Sequence, residues 1–131
     1  MVYLGEPIFS LPLSLIYRKG SNMDDTRLLQ FANEISRILG EKLISVILYG
    51  STARGTASDD SDIDIAILLR SGITPEENDQ LSDIIVDFNI DTGKVLSVID
   101  ITESDYLKWR YSMPFFMNLS KDGIPLWTKT A

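Results

Sequence analysis

Two residue types that carry much of the known chemistry of proteins are missing from this chain of 131 residues, which contains no cysteine and no histidine. Disulfide bridges, cysteine nucleophiles, histidine bases and zinc sites built from thiolates or imidazoles are therefore excluded. Oxygen atoms remain as metal ligands, and such ligands suit Mg²⁺, Mn²⁺ or Ca²⁺. The lack of cysteine is also compatible with the cytoplasm, which is the location we expect.

Positive charge is scarce as well, because 12 Lys and Arg residues stand against 19 Asp and Glu residues and give a formal net charge of −7. Non-specific binding of nucleic acid depends on basic side chains that neutralise phosphates, so a direct nucleic-acid partner is not expected. No run of about 18 apolar residues is present, which argues against a membrane span. A basic protein partner agrees with this charge, and a homo-oligomer stays open.

The chain is patterned as one domain of helices and strands after an irregular start. Residues 1–22 show no clean period, and we interpret them as an N-terminal extension, a poorly packed arm or residues added during cloning, whereas residues 23–131 form the domain. Asp24 or Asp25 is predicted to cap a helix that runs to Leu39. Later elements are predicted as strands at 43–49, 62–69 and 94–102, helices at 104–111 and 114–120, and an edge strand at 124–127. A further helix is predicted to follow Thr74, which forms a capping box with Glu77 and has Pro75 as the first helical residue.

The first candidate for chemistry is Gly50-Ser51, at the end of the first predicted strand. Glycine lets backbone amides approach a ligand closely, and a helix that starts near Ser51 would point its free N–H groups and positive end at phosphate. The serine hydroxyl adds a further contact. This is not a Walker loop, because no Gly-Lys-Ser/Thr follows. An ordinary turn is the alternative interpretation.

The second candidate is Asp62-Ile63-Asp64, where strand alternation points both carboxylates to one face. Positions i and i+2 are roughly 6.5 Å apart along a strand. Two unit charges at that distance repel by roughly 2–3 kcal/mol at an effective dielectric of about 20, and a cation between them offsets this cost. A solvated strand end in an acidic loop is the alternative.

The third candidate is Asp100, an acidic residue inside the apolar run Val98-Ile99-Asp100-Ile101. A carboxylate in such a run needs a reason, because burying it is costly. Sheet pairing could bring it beside the first two carboxylates, or it could face water at a strand end.

The late aromatic cluster is predicted to pack in the core, with a partner-binding surface as the alternative; it comprises Tyr106, Trp109, Tyr111, Phe115 and Phe116.

The spacing of these candidates carries a family resemblance. Ten residues separate Ser51 from Asp62, which gives the pattern Gly-Ser-x10-Asp-x-Asp. With it the sequence resembles the DNA polymerase β-type nucleotidyltransferase superfamily, and in particular its small stand-alone members, the minimal nucleotidyltransferases, which are similar to the antitoxins of HEPN-domain ribonuclease toxins. The segments that carry the resemblance are Gly50-Ser51-Thr52-Ala53-Arg54-Gly55 and Ser61-Asp62-Ile63-Asp64-Ile65.

The resemblance implies a fold and a set of site residues. The fold is α/β in the wider α+β sense, a nucleotidyltransferase fold with a mixed sheet of four or five strands and helices packed against it. Gly50 and Ser51 are the implied nucleotide-binding residues, and Asp62 and Asp64 the implied catalytic metal ligands. The family has a third acidic ligand on a later strand, for which Asp100 is the natural candidate.

Arg54 also belongs to the motif, so the resemblance implies that it binds the nucleotide phosphates. The alternative is a surface arginine paired with Asp59 or Asp60.

The resemblance also implies a function. It suggests a nucleotidyltransferase that depends on one or two Mg²⁺ ions and transfers AMP from ATP to a hydroxyl group. The implied acceptor is a tyrosine of a cognate HEPN toxin, so that the protein acts as an antitoxin. One alternative is a non-catalytic antitoxin or nucleotide-binding module that neutralises its partner by binding. The other is a small-molecule nucleotidyltransferase that acts on an antibiotic, an activity that usually needs a further domain for the acceptor.

Overall fold

The computed structural model describes residues 23–56 and 62–129, so the predicted N-terminal extension lies outside the described residues. The predicted order of helices and strands is confirmed, with bounds that shift by a few residues. The elements are α1 (Met23–Leu39), a 3₁₀ turn (Gly40–Lys42), β1 (Leu43–Tyr49), α2 (Gly50–Arg54), β2 (Ile63–Leu69), α3 (Pro75–Thr92), β3 (Leu96–Thr102), α4 (Glu103–Trp109), α5 (Pro114–Asp122) and β4 (Ile124–Thr128).

The strands form one four-stranded mixed sheet in the order β3-β2-β1-β4, which confirms the predicted α/β architecture. Strand β1 pairs antiparallel with both β2 and β4. Strands β2 and β3 are parallel, and α3 supplies the crossover that a parallel pair requires. The sheet therefore has β2 near its centre, with a neighbour on each side.

Strand β2 separates two apolar clusters, one on each face of the sheet. Its odd-numbered residues join the cluster that includes residues of α1 and α3, and Ala66 and Leu68 join the cluster that includes Tyr106 of α4 and Leu119 of α5. The predicted alternation along β2 is thus confirmed. Since Asp64 is two residues before Ala66, its side chain belongs to the α4/α5 face.

Helices α1 and α3 pack against each other over the first cluster. The rings of Phe31 and Phe88 lie 5.8 Å apart between centroids. The guanidinium of Arg27 lies 5.5 Å from the centroid of Phe88 and pairs with Asp91 at 3.1 Å. The helix α1 already includes Asp24 and Asp25, so neither is the residue before the helix that the sequence predicted as a cap.

The late aromatic residues divide between core and surface. Tyr106 is fully buried, and the half-buried Phe115 and Phe116 pack against the second cluster, so core packing is confirmed for these three. Tyr111 is different, because 79% of its surface is exposed. Within the described ranges, no helix combines the length and the apolar character that crossing a bilayer requires.

The N-terminus of α3 carries the capping box that the sequence predicted. The Thr74 hydroxyl accepts from the Glu77 backbone N–H at 3.1 Å, and Glu77 Oε1 accepts from the Thr74 backbone N–H at 3.0 Å. Lys42 of the 3₁₀ turn donates to the same Glu77 oxygen at 2.7 Å. This contact ties the crossover helix to the start of β1, and so helps to fix where α3 begins.

Removing the cap should destabilise the domain. In Thr74→Ala the Glu77 N–H loses its acceptor, and we expect the free energy of unfolding to fall by about 1 kcal/mol. Urea unfolding followed by circular dichroism measures this. Ser82→Ala, an exposed change within the same helix, is the matched control and should stay within about 0.5 kcal/mol of wild type. Equal losses in both variants would contradict the assigned role of the cap.

The same contacts predict a pH dependence of stability. The hydrogen bond from Lys42, and then that from the Thr74 backbone, holds the pKa of Glu77 below its ordinary value of 4.5. A carboxyl group with a lowered folded-state pKa stabilises the folded state above its unfolded pKa, and this contribution is lost as the pH falls through the folded value. The stability difference between wild type and Glu77→Gln should therefore shrink from pH 7 towards pH 3. A gap that stays constant in urea titrations over this range would contradict the assignment.

Candidate active site

The chain leaves β1 through a turn that only glycine fits well. Gly50 has a φ of +76°, in the left-handed region, and it opens α2, which is followed by Gly55. A Cβ atom on Gly50 would overlap Oδ2 of Asp64. Glycine at this position therefore lets the backbone lie directly against the Asp64 carboxylate.

The two predicted carboxylates lie together at the start of β2. Asp64 pairs with Tyr49 across the antiparallel ladder, and Asp62 is the residue just before the strand. The Ile63 N–H fixes this strand end by donating to the Val95 carbonyl at 2.8 Å. Asp62 is exposed, whereas Asp64 is half-buried. The structure thus places one carboxylate in solvent and leaves the other partly buried.

The electrostatics of the pair favour a cation. Burial, and next the negative charge of Asp62, raise the pKa of Asp64 above 3.8, while the charge of Arg54 acts in the opposite direction. The pKa of Tyr49 is raised by burial and then by the charge of Asp64. Each shift means that negative charge is unfavourable here. A bound cation would relieve that cost, and the donors are the carboxylate oxygens that Mg²⁺ prefers, so this pair fits a divalent ion.

The predicted phosphate-binding residues flank the pair. Ser51 is half-buried in the single turn of α2, and its carbonyl accepts from the Thr56 N–H at 2.9 Å. The exposed Arg54 ends this helix, close enough to Asp64 for its charge to act on that carboxyl group. The alternative partners of Arg54, Asp59 and Asp60, lie outside the described residues.

The structure does not bring Asp100 to the other carboxylates, which corrects the expectation that sheet pairing would do so. In the parallel ladder Asp100 pairs with Ile67, three residues beyond Asp64, or about 10 Å along the strand. It also points to the other face, because its neighbours Ile99 and Ile101 belong to the α4/α5 cluster. Among the described residues, no group of three or more acidic side chains is placed to hold a metal ion.

Two further residues lie near the pair but were not predicted from the sequence, namely Tyr49 and Ser97. Tyr49 packs edge-on against Phe115 at 5.5 Å between centroids and so connects the site to α5. Ser97 pairs directly with Asp64 across the parallel ladder. Alternation along β3 could have placed Ser97 on the same face as Ile99 and Ile101, but its register with β2 had no signal in the sequence.

A family comparison agrees with this arrangement. Residues 28–116, more than half of the chain, match the family described as a nucleotidyltransferase domain. The chain belongs to this family. The matched region of the nucleotidyltransferase domain contains Gly50, Ser51, Asp62 and Asp64, the residues that the structure brings together.

Two proteins of Methanocaldococcus jannaschii are similar in sequence to parts of the nucleotidyltransferase domain. One is named "putative protein adenylyltransferase MJ0141" and is 42% identical over 52 residues, which cover 40% of this chain and 52% of that protein. The other is named "putative protein adenylyltransferase MJ1305" and is 40% identical over 42 residues, which cover 32% of this chain and 29% of that protein. The alignments thus span about half and under a third of these relatives.

Solved structures show a similar fold. A chain from a toxin–antitoxin crystal structure with AMP-PNP aligns with a TM-score of 0.52 and 18% identity, over 82% of this chain and 76% of that one. A mutant of the toxin–antitoxin MntA–HpeT gives a TM-score of 0.52 and 17% identity, over 81% and 74%. At such identities the likeness concerns the fold alone, and it agrees with the mixed sheet and its helices.

The contact between Gly50 and Asp64 predicts a difference between two glycines of the nucleotidyltransferase domain. Gly50 and Gly55 share a φ of +76°, but nothing lies within 4 Å of a Cβ built on Gly55. Alanine strains the backbone in both variants, whereas only Gly50→Ala also displaces the Asp64 carboxylate. We expect Gly50→Ala to lose about 0.5–1.5 kcal/mol more stability than Gly55→Ala in urea unfolding, which is the usual cost of pushing a side chain away from its preferred rotamer. Equal losses would contradict the contact.

Proposed function

We propose that this nucleotidyltransferase domain is a Mg²⁺-dependent enzyme that transfers AMP from ATP to a tyrosine hydroxyl of a cognate HEPN ribonuclease toxin. It would so act as a cytoplasmic antitoxin. The observation that carries the proposal is the Asp62–Asp64 pair, of which the Asp64 carboxylate lies against Gly50 at the start of α2. The family match supports the reaction class. The names of the two relatives support a protein acceptor, and the toxin–antitoxin structure with AMP-PNP supports the partner and the nucleotide.

The chain's own residues divide the work of the proposed reaction. Asp62 and Asp64 would hold one or two Mg²⁺ ions, which would supply positive charge beside the phosphates. Gly50 and the Ser51 hydroxyl contact the outer phosphates, and Arg54 adds a positive charge beside them. Phosphoryl transfer depends mainly on positioning and charge neutralisation, so few residues suffice.

The position of Asp100 changes the expected path of the acceptor proton. Because Asp100 lies on the opposite sheet face, it cannot take the proton from a hydroxyl bound beside Asp62 and Asp64. The chain has no histidine to replace it. As the hydroxyl oxygen bonds to the α-phosphorus of ATP and pyrophosphate leaves, the proton therefore passes to a carboxylate of the pair or to water.

One observation favours a second candidate, an antitoxin that neutralises its partner by binding. The described part of the site offers two carboxylates rather than three. A site with a weaker hold on its metal could retain nucleotide and partner binding while it loses transfer. The two candidates differ only in whether the toxin is modified.

The proposal is tested on the partner. After incubation with Mg–ATP, intact-mass spectrometry of the cognate toxin should show one or more adenylyl groups. Asp62→Asn/Asp64→Asn should reduce the rate at least a hundredfold, since losing even an outer partner of a metal ligand costs about 10–100-fold. Asp100→Asn is the matched control and should react at the wild-type rate, because its side chain lies on the other face.

Protection of cells from the toxin separates the two candidates. If transfer is the function, Asp62→Asn/Asp64→Asn should fail to protect cells although it still binds the toxin in a pull-down. Full protection by this variant, with no adduct on the toxin in the presence of wild type, would reject transfer and support binding.

A further inference from the structure

The residue on β3 that faces the carboxylate pair is Ser97. In the parallel register Asp64 pairs with Ser97, and paired residues of neighbouring strands point to the same face. The strands of a sheet lie about 4.7–4.9 Å apart, so the Ser97 and Asp64 side chains start within reach of a shared ligand. Tyr49 occupies the equivalent place on the other side of Asp64.

The environment of Ser97 suits a ligand-binding hydroxyl. The residue is half-buried between Leu96 and Val98, and the next residues on the same face of the strand, Ile99 and Ile101, are apolar. Within the described ranges its hydroxyl has no hydrogen-bond partner. A serine that neither packs as an apolar residue nor pairs with a neighbour remains available to an ion or to the water bound to it.

We propose that the Ser97 hydroxyl is the third oxygen donor of the cation site formed by Asp62 and Asp64, directly or through one bound water. The inference rests on the proposed function for the presence of that cation. The site then carries two negative charges and one neutral donor. Because ligand charge count tunes the affinity of oxygen cation sites, the neutral third donor makes this a weaker site than three carboxylates would.

The inference is tested by titrating the full chain with Mn²⁺ alone and following the free ion by electron paramagnetic resonance. Ser97→Asp should lower the Kd by roughly tenfold through its added charge. Ser97→Ala should raise the Kd several-fold, because it removes the donor. The double variant Ser97→Asp/Asp100→Ser keeps the net charge of the wild type, so tighter binding by it would report the position of the charge and not its amount.

The possible outcomes separate this inference from the proposed function. If Asp62→Asn/Asp64→Asn abolishes Mn²⁺ binding but Ser97→Asp and Ser97→Ala match wild type, Ser97 is not a donor and the inference is overturned. If no variant binds Mn²⁺, the inference and the metal dependence fall together. If the Kd values change as expected but the toxin gains no adduct, only the proposed transfer falls. Circular dichroism of each variant confirms that it is folded.

Discussion

The antiparallel pairing of β1 with β2 sets the position of Gly50 against Asp64. Because Tyr49 lies opposite Asp64, the turn at Gly50 follows at once and its backbone meets the Asp64 carboxylate. A slip of one residue would send Asp64 to the opposite face of the sheet. Its carboxylate would then enter the apolar cluster beneath α1 and α3, at the cost of burying an unpaired charge. The free-energy cost of burying this charge thus disfavours other registers of the β1–β2 pair, and it thereby keeps Asp64 in the site.

The site also holds charge at some cost to the fold. Two neighbouring carboxylates, one of them half-buried, disfavour the folded chain when no cation is near. A ligand that binds only the folded state repays this cost by mass action. The edge-on contact of Tyr49 with Phe115 connects this pair of carboxylates to α5. Phe115 in turn packs against Phe116, so aromatic contacts connect the site to the apolar cluster beneath α4 and α5.

Local signals let the sequence predict most of the fold. The Thr74 capping box marked the start of α3, and period-two alternation gave the two faces of β2. The pair Asp62 and Asp64 could be predicted because only one residue separates them where β2 begins. Asp100 could not, since its distance from that pair depends on how far α3 carries the chain before β3 begins. This is a property of helix packing, and a three-residue difference in register replaces Asp100 with Ser97 beside Asp64.

The edges of the sheet carry one more consequence of the strand order. Strands β3 and β4 lie at the two edges, where unpaired backbone groups can recruit strands from other chains. β4 carries Pro125, which has no N–H to offer, and β3 carries the exposed carboxylate of Asp100. Proline and charge are the usual means by which edge strands avoid aggregation. The charge of Asp100 therefore has a use that needs no metal, because it disfavours the addition of a strand from another chain to β3.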